Sequence, residues 1–320
     1  MRVKLRSTAL VFVSTLLLLV TACGGSSTKP ASTGPAPVDL TKDDLGRSVT
    51  LPASPTRIVA LSPSIVELMY AVGATPAGRP SSADFPEAAK SLPSFGTSYQ
   101  PSYEEIVKLK PDLLIADAVI DEALMNDLTR LSVPVYAVRI VSFADVTHGL
   151  RVVGALTGNR DRGESEAKKL ETKLTGLQAQ LPSTAPSFLV LVSAGPGTFI
   201  AEKDGSYLGD LMKQLKARNL VTGEPDNFRF PGFTDYSPER ILEKNPDIVI
   251  TMSLGGGPGT PKTIDALKSS PALSSLKAVK EGHVYEVDPA VYLQSAGPRV
   301  GLILDELPRL LYPNVFATGR

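Results

Sequence analysis

The sequence predicts an α/β protein of two lobes, each with three layers and a largely parallel sheet, joined by one long rigid helix. Short apolar runs such as 57–61 and 112–116 precede helical patterns, and strands that alternate with helices are typical of parallel sheets. The alternation stops over residues 142–181 and resumes after Pro186. Within that gap, residues 160–181 contain no proline and are rich in Glu, Lys, Ala, Leu and Gln, so a single helix can join the lobes as a strut.

An internal repeat relates the two lobes. Residues 102–115 match residues 237–250, with Ser, Glu, Ile, Pro, Asp and Ile identical at a constant offset. A second, shorter match pairs residues 135–138 with residues 284–287. Since a repeat of this kind indicates a recurring structural unit, the sequence predicts the same local structure in both lobes.

Each copy of the repeat predicts a capped helix followed by a buried strand. Ser102 and Ser237 stand at the N-cap positions, and Pro-Asp precedes each apolar run. Glu104 and Glu239 therefore fall in the first turns of equivalent helices. Two interpretations remain open: they stabilise the helix dipoles, by about 0.3–1 kcal/mol each, or they meet basic sites on a two-fold symmetric partner and fix its register.

The N-terminus has the pattern of a lipoprotein signal peptide. Basic residues precede an apolar run over 9–20, and small residues precede Cys23. This order predicts a signal peptide over 1–22 and a lipid-bearing Cys23, the alternative being a plain secretory signal with a chance cysteine. Residues 23–45 are predicted to be a flexible tether, since 24–37 are almost all Gly, Ser, Thr, Pro and Ala.

The rest of the chain is long enough for two cores. The predicted boundaries are 46–141 for the N-terminal lobe, 142–182 for the connecting helical segment and 183–320 for the C-terminal lobe. The full chain has 33 Lys and Arg residues against 33 Asp and Glu residues, and three of the basic residues belong to the signal peptide. A mildly acidic body without basic runs is poorly suited to nucleic acid, so we expect no nucleic-acid partner.

The motifs argue against an enzyme. The glycine-rich stretch 255–263 has Pro261 directly before Lys262, where a phosphate-binding loop requires glycine, and no Gly-x-Ser-x-Gly motif is present. A zinc site would need three or four ligands, and the chain has two histidines, His148 and His283, and one cysteine. The sequence therefore predicts no catalytic residue, no metal site of its own and no cofactor.

Four stretches of the chain carry a family resemblance, namely 57–64, 104–116, 237–250 and 295–299. They resemble the substrate-binding lipoproteins of the iron-siderophore, haem and cobalamin ABC importer family. The resemblance implies two α/β lobes flanking a rigid helix, and one glutamate per lobe that docks on arginines of an ABC permease dimer, which works with a cytoplasmic ATPase. Glu104 and Glu239 match those glutamates.

Ligands of open α/β sheets bind at the carboxyl ends of the strands and between domains, which selects candidate cleft residues. For the aromatic candidates core packing is the alternative, and for the two arginines a solvated side chain. The first-lobe candidates are Ser62, Ser82, Tyr99, Asp117 and Arg139. The second-lobe candidates are Arg229, Phe230, Phe233, Tyr292 and Gln294.

The resemblance implies a substrate-binding subunit, lipid-anchored at the extracytoplasmic face of the cell membrane, that delivers a metal chelate to its permease. Both a ferric siderophore and a cobalamin-like corrinoid remain open, because Ser82, Ser98 and Asp117 stand where cobalamin-binding members tend to carry aromatics. Haem would need an axial ligand such as Tyr99 or Tyr292. The alternative function is a lipid-anchored surface interaction or sensor protein that uses the same scaffold without transport.

Overall fold

Two separate β-sheets form the frame of the protein, one in each lobe. The computed structural model describes residues 38–119, 121–195, 198–228, 230, 232–254, 262–293 and 297–316. The strands are β1 Ile58–Ala60, β2 Leu113–Asp117, β3 Val135–Val138, β4 Ser187–Gly195, β5 Thr198–Glu202, β6 Arg218–Asn219, β7 Phe233–Tyr236, β8 Ile248–Met252 and β9 Val284–Glu286. The helices are α1 Pro63–Ala71, α2 Tyr103–Lys108, α3 Met125–Thr129, α4 Phe143–Leu156, α5 Arg160–Gln178, α6 Tyr207–Gln214, α7 Pro238–Lys244, α8 Thr263–Ser269, α9 Lys277–Lys280, α10 Pro289–Tyr292 and α11 Val300–Leu311.

The first sheet has the order β1-β2-β3 and is entirely parallel. The second has the order β7-β5-β4-β8-β9, with β6 paired to β4. Its β4, β6, β8 and β9 pair in parallel, but β5 pairs antiparallel with both β4 and β7. Because β4 and β5 are neighbours in the chain, they pair as a hairpin, whereas parallel strands need a crossover. The predicted α/β fold is confirmed, with an antiparallel edge that the sequence did not indicate.

The internal repeat is also present in the structure, where it includes the register of the strands. Ser102 and Ser237 are the N-caps of α2 and α7, and each helix is followed by the central strand of a parallel trio, β2 or β8. The strand partners recur at the same repeat positions. The equivalent pairs are Ile58 with Leu113 and Phe188 with Ile248, then Leu114 with Val135 and Val249 with Val284.

The aspartate of each Pro-Asp pair ties the start of one strand to its neighbour. Asp112 accepts hydrogen bonds from the backbone N–H of Thr56 at 2.7 Å and of Arg57 at 3.0 Å, just before β1. Asp247 accepts them from the backbone N–H of Ser187 at 2.8 Å and its hydroxyl at 2.6 Å, at the start of β4. The repeated aspartate therefore has the same structural role in both lobes.

The two sheets share one hydrophobic core on their facing sides. Ile115 of β2 and Ile250 of β8 belong to the same cluster of buried residues, which also contains side chains from α1, α4, α6 and α11. Their neighbours Leu114 and Val249 point to the opposite faces and belong to separate outer clusters. Because the lobes are joined by continuous apolar packing, large rotations between them would expose buried surface.

The helix α5 contacts both lobes, as expected of a strut. Near its start, Arg162 Nε donates to the carbonyl of Ala71 at the end of α1, at 2.9 Å. At its end, Gln178 Nε2 donates to the carbonyl of Gln214 at the end of α6, at 3.0 Å. The helix ends at Gln178, three residues before the predicted Leu181, and the chain enters it from α4 through a short turn.

The predicted tether is too long at its C-terminal end, since the residues from Val38 onward already pack on the first lobe. Asp43 is 4% exposed and accepts a hydrogen bond from the backbone N–H of Ala137 in β3, at 3.2 Å. Asp44 N–H donates in return to the carbonyl of Ala137, at 3.1 Å. These bonds hold the segment beside the first sheet. Cys23 and residues 24–37 lie outside the described residues.

Candidate ligand-binding cavity

A cavity of 540 Å³ lies between the lobes. The first lobe contributes residues from the start of α1 and from the two loops around residues 82 and 98, and the second lobe contributes α10 and the start of α11. The lining residues are Pro63, Glu67, Ser82, Asp84, Phe85, Ser98, Tyr99, Ala290, Leu293 and Arg299. Its size is in the range of small-molecule sites, and its place between two α/β units is where ligands commonly bind.

An ion pair between the lobes forms part of the cavity wall. Arg299 Nη2 lies 2.7 Å from Glu67 Oε1, and Arg299 Nε lies 2.9 Å from Glu67 Oε2. The Glu67 side chain is 2% exposed and that of Arg299 is 12% exposed. Arg299 Cζ also lies 4.9 Å from the centre of the Phe85 ring, a cation–π distance. The guanidinium is thus held on one side by a carboxylate and on another by an aromatic face.

Asp84 presents a more accessible carboxylate to the same cavity. Its side chain is 63% exposed, and its ion-pair contact is Arg79 Nη1 at 3.5 Å. The Arg79 guanidinium also donates to the carbonyls of Pro80, Ser81 and Lys90, at 3.0–3.2 Å. Since Arg79 is 12% exposed, Asp84 is the more accessible member of the pair.

Ser98 and Tyr99 add polar groups to the first-lobe wall. The residue Ser98 is 4% exposed, and its buried hydroxyl oxygen has no hydrogen-bond partner among the described residues. A buried hydroxyl without a partner is costly to the fold. Tyr99 is 71% exposed, and Phe85 is 46% exposed, so both present apolar ring surface to the cavity. This wall combines aromatic faces with hydrogen-bonding groups.

Of the first-lobe candidates, Ser82 and Tyr99 line the cavity, whereas Ser62 and Arg139 do not. Ser62 is fully buried, and its hydroxyl caps α1 by accepting from the backbone N–H of Ile65 at 3.3 Å. The Arg139 backbone N–H donates to Asp44 Oδ2 at 2.8 Å. These contacts belong to the fold of the first lobe, so neither residue is part of the cavity wall.

Asp117 ends β2 but its side chain is folded inward. It is 2% exposed, and its Oδ1 accepts from the backbone N–H of Val119 at 2.9 Å. Its own backbone N–H donates to Asp121 Oδ2 at 2.7 Å. Burial raises the pKa of Asp121 to about 8, with the Asp117 backbone hydrogen bond opposing the shift and the Asp117 charge adding to it. Asp117 and Asp121 thus stabilise a turn, and neither residue lines the cavity.

The second-lobe candidates fall mostly outside the cavity lining. Phe233 starts β7 and is 6% exposed, so it is a core residue. Tyr292 is 2% exposed and its hydroxyl bonds Glu306 Oε2 at 2.7 Å, which excludes it as an accessible metal ligand in this structure. Phe230 is 40% exposed. Arg229 and Gln294 lie outside the described residues.

The predicted docking glutamates are accessible on both lobes. Glu104 is in the first turn of α2, where its side chain is 79% exposed and lies 2.9 Å from Lys108 Nζ. Glu239 is exposed in the first turn of α7, and a hydrogen bond with Ser237 lowers its pKa. Both side chains are therefore accessible to a partner protein, with Glu104 paired to Lys108 of its own helix.

Sequence reasoning missed Glu67, Asp84 and Phe85. A signal for Glu67 was present, because a single acid within the apolar run 65–69 must be paired if the helix is buried. Arg299 belongs to a stretch that carried the family resemblance, but its partner 232 positions away could not be inferred from spacing. The described residues contain no group of three or more His, Cys, Asp or Glu side chains placed to hold a metal ion.

Two α/β lobes joined by a helix and enclosing a cavity define the class of bilobal solute-binding proteins. A family model described as periplasmic binding protein matches residues 58–291, so the chain belongs to this family. The resemblance predicted from the sequence is confirmed, and the family places the chain among binding proteins and not among enzymes. No helix of the described residues is both long enough and apolar enough to cross a membrane.

The similar proteins include transport lipoproteins and iron-binding proteins. The chain is 26% identical to the putative ABC transporter substrate-binding lipoprotein YhfQ of Bacillus subtilis, over 95% of this chain and 98% of the relative. It is also 26% identical to the Fe(3+)-citrate-binding protein YfmC of Bacillus subtilis, over 91% and 93%. The solved structure of the siderophore-binding protein BauB, bound to ferric acinetobactin, matches with a TM-score of 0.72 at 20% identity, over 84% and 97%.

Proposed function

We propose that the protein is the substrate-binding subunit of an ABC importer, which captures a metal chelate in the inter-lobe cavity and delivers it to a membrane permease. The observation that carries the proposal is the 540 Å³ cavity, which is lined by both lobes and combines aromatic and polar side chains. The names of the relatives, which include an iron-citrate-binding protein and a siderophore-binding protein, support a metal chelate as the ligand.

The second half of the proposal is delivery to the permease, and the internal repeat supports it. Glu104 and Glu239 are exposed at equivalent positions of α2 and α7, one on each lobe. A permease dimer with pseudo-two-fold symmetry can receive such a pair of charges at two equivalent basic sites. Charge pairs at an interface rim mainly set orientation and association rate, which is what a delivery step requires.

Membrane attachment through Cys23 completes the proposed arrangement. The sequence before residue 38 combines a signal-peptide pattern with a cysteine and a spacer of small and polar residues. The relative YhfQ is named a lipoprotein and aligns over nearly its whole length. A tethered binding protein meets its permease at high local concentration, so a modest docking affinity is sufficient.

Native mass spectrometry with a panel of chelates tests capture. The panel contains a ferric trihydroxamate, a ferric catecholate, ferric citrate, cyanocobalamin and haem. We expect one chelate class to bind with one molecule per chain. The variant Ser82→Trp places a large ring in the cavity lining and should weaken that binding by at least about tenfold, a loss of about 1.4 kcal/mol.

The matched control is Ser274→Trp, which adds the same ring at an exposed serine in the second lobe, outside the cavity lining. Its affinity for the chelate should equal that of the wild type. Binding that survives Ser82→Trp unchanged would contradict the cavity as the capture site. The absence of binding across the whole panel would contradict capture of a metal chelate and favour a scaffold or sensor role.

A further inference from the structure

We propose that the inter-lobe cavity selects a chelate that is neutral or positively charged over an anionic one, and that Asp84 is the residue that senses this charge. The selection rests on the proposed function, because it presupposes that a chelate enters the cavity. It concerns the charge class of the ligand, which neither the fold nor the similarity to other proteins determines.

The cation in the cavity wall is already neutralised. Among the described lining residues, Arg299 is the one positively charged side chain. Its Nε and Nη2 both bind the Glu67 carboxylate, at 2.9 and 2.7 Å, in the two-point geometry that is strongest for this pair. Since the Glu67 side chain is 2% exposed, an anionic ligand would have to compete with a carboxylate that cannot leave for solvent. The pair therefore acts as a neutral polar surface.

The most accessible charge of the wall is negative. Asp84 is 63% exposed, whereas its partner Arg79, whose Nη1 lies 3.5 Å from Asp84 Oδ1, is 12% exposed. Arg79 keeps its positive charge, since the three backbone carbonyls to which it also donates are neutral. Because Arg79 is largely buried, a ligand in the cavity meets the Asp84 carboxylate before it meets this guanidinium. Asp84 therefore disfavours an anionic chelate and favours a positively charged one.

The other lining groups suit neutral oxygen and nitrogen atoms. The exposed Ser82 side chain lines the cavity, and its hydroxyl can donate to or accept from a neutral ligand carbonyl or amide. Phe85 and Tyr99 offer partly exposed ring surface for the apolar parts of a ligand and for a cation. A neutral or cationic hydroxamate chelate, or a neutral corrinoid with peripheral amides, fits this set of groups.

Among the described residues, the arginines predicted for the cleft add no positive charge to the cavity lining. Arg139 does not line the cavity, and the Arg139 charge is among the influences that lower the pKa of Asp44. Although a relative is named for ferric citrate, an anionic chelate, the wall of this cavity carries the opposite preference. Arg229 lies outside the described residues, so it is included in the test as a separate variant.

The test compares ligands that share one metal centre and differ in charge through a change at their periphery. Ferrioxamine B, its N-acetyl derivative and its N-succinyl derivative carry one positive charge, no charge and one negative charge around the same iron centre. Cyanocobalamin and its monocarboxylic acid form a second pair, neutral and anionic. Dissociation constants are measured by calorimetry for the wild type, Asp84→Asn, Asp84→Lys, Arg229→Gln and the control Asp161→Asn, which removes an exposed acid of α5 outside the cavity lining.

In whichever series binds, the wild type should prefer the more positive member, and Asp84→Asn should reduce that preference by about threefold, as for a partly exposed charge pair. Asp84→Lys should reverse it, and Asp161→Asn should leave it unchanged. A wild-type preference for the anionic member, or a preference that responds to Arg229→Gln and not to Asp84→Asn, overturns the proposal while leaving capture intact. If neither series binds, the selection and the proposed capture of such chelates both fail.

Discussion

Arg299 of the second lobe and Glu67 of the first form a two-point ion pair in the wall of the cavity, with Arg299 Nη2 2.7 Å from Glu67 Oε1. Both side chains are largely buried, at 12% and 2% exposure. Removing one partner of a buried pair leaves an uncompensated charge, whereas removing both does not. The pair therefore couples the lobes and also sets the electrostatics of the cavity wall.

Arg299→Met should lower the free energy of unfolding by about 3 kcal/mol, because Glu67 loses its charged partner while it stays buried. The double variant Glu67→Met with Arg299→Met should recover at least half of that loss. Equilibrium urea unfolding of the two single variants and the double variant measures the coupling. If the losses of the two single variants add up to the loss of the double variant, Glu67 and Arg299 do not stabilise the protein as a pair.

The crossing of α4 and α5 depends on a glycine. A Cβ at Gly163 would clash with the carbonyl oxygen of Leu150 and would lie 3.1 Å from the Cα of Gly154, both backbone atoms that cannot move aside easily. Gly163→Ala should therefore lower the free energy of unfolding by about 1–3 kcal/mol. Gly176→Ala is the matched control in the same helix, since a Cβ there meets nothing within 4 Å. It should instead stabilise the protein by about 0.5–1 kcal/mol.

The local parts of the fold followed from the sequence, and the long-range parts did not. The helix and strand after Ser102 and Ser237 could be predicted because caps, prolines and apolar runs act within a few residues. The antiparallel pairing of β5 with β7 was missed because it joins segments that are distant along the chain. Phe233, predicted for the cleft, begins β7 and is buried. The assignments of Ser62 and Tyr292 to the cleft followed from position along the chain, which does not reveal on which side of a helix or strand end a side chain lies.

Asp121 should make the stability of the protein depend on pH. Its pKa is raised to about 8 by burial, so the folded state holds a proton more tightly than the unfolded chain, whose aspartate pKa is about 4. Its stabilising contribution is complete below about pH 4 and declines as the pH rises towards about 8. Because burial also raises the pKa of Glu202 to about 7, the informative quantity is the difference between wild type and Asp121→Asn.

Urea unfolding at a series of pH values measures this difference. At low pH, Asp121→Asn should be no more stable than the wild type. Between about pH 5 and about pH 8, its free energy of unfolding should rise steadily relative to that of the wild type. Parallel curves for the two proteins over that range would mean that Asp121 does not titrate there.

The shared core predicts little movement on ligand binding. Ile115 and Ile250 lie in one cluster that continues through α4 and α11, and α5 is bonded to both lobes. A large hinge rotation would break this packing, so we expect only a small closure. Small-angle X-ray scattering with and without bound ligand should give radii of gyration equal within error. A clear decrease on binding would contradict a rigid connection between the lobes.

The most direct test of the account is charge reversal of Glu104 and Glu239 together, with uptake of the labelled chelate by cells and its affinity for the purified protein measured in parallel. Both residues are exposed, so Glu104→Lys with Glu239→Lys should leave the solution affinity unchanged while uptake collapses. The control, Glu105→Lys with Glu243→Lys, reverses exposed acids on the same two helices and should transport as the wild type does. Unaltered uptake by the Glu104 and Glu239 variant would contradict delivery through these two positions.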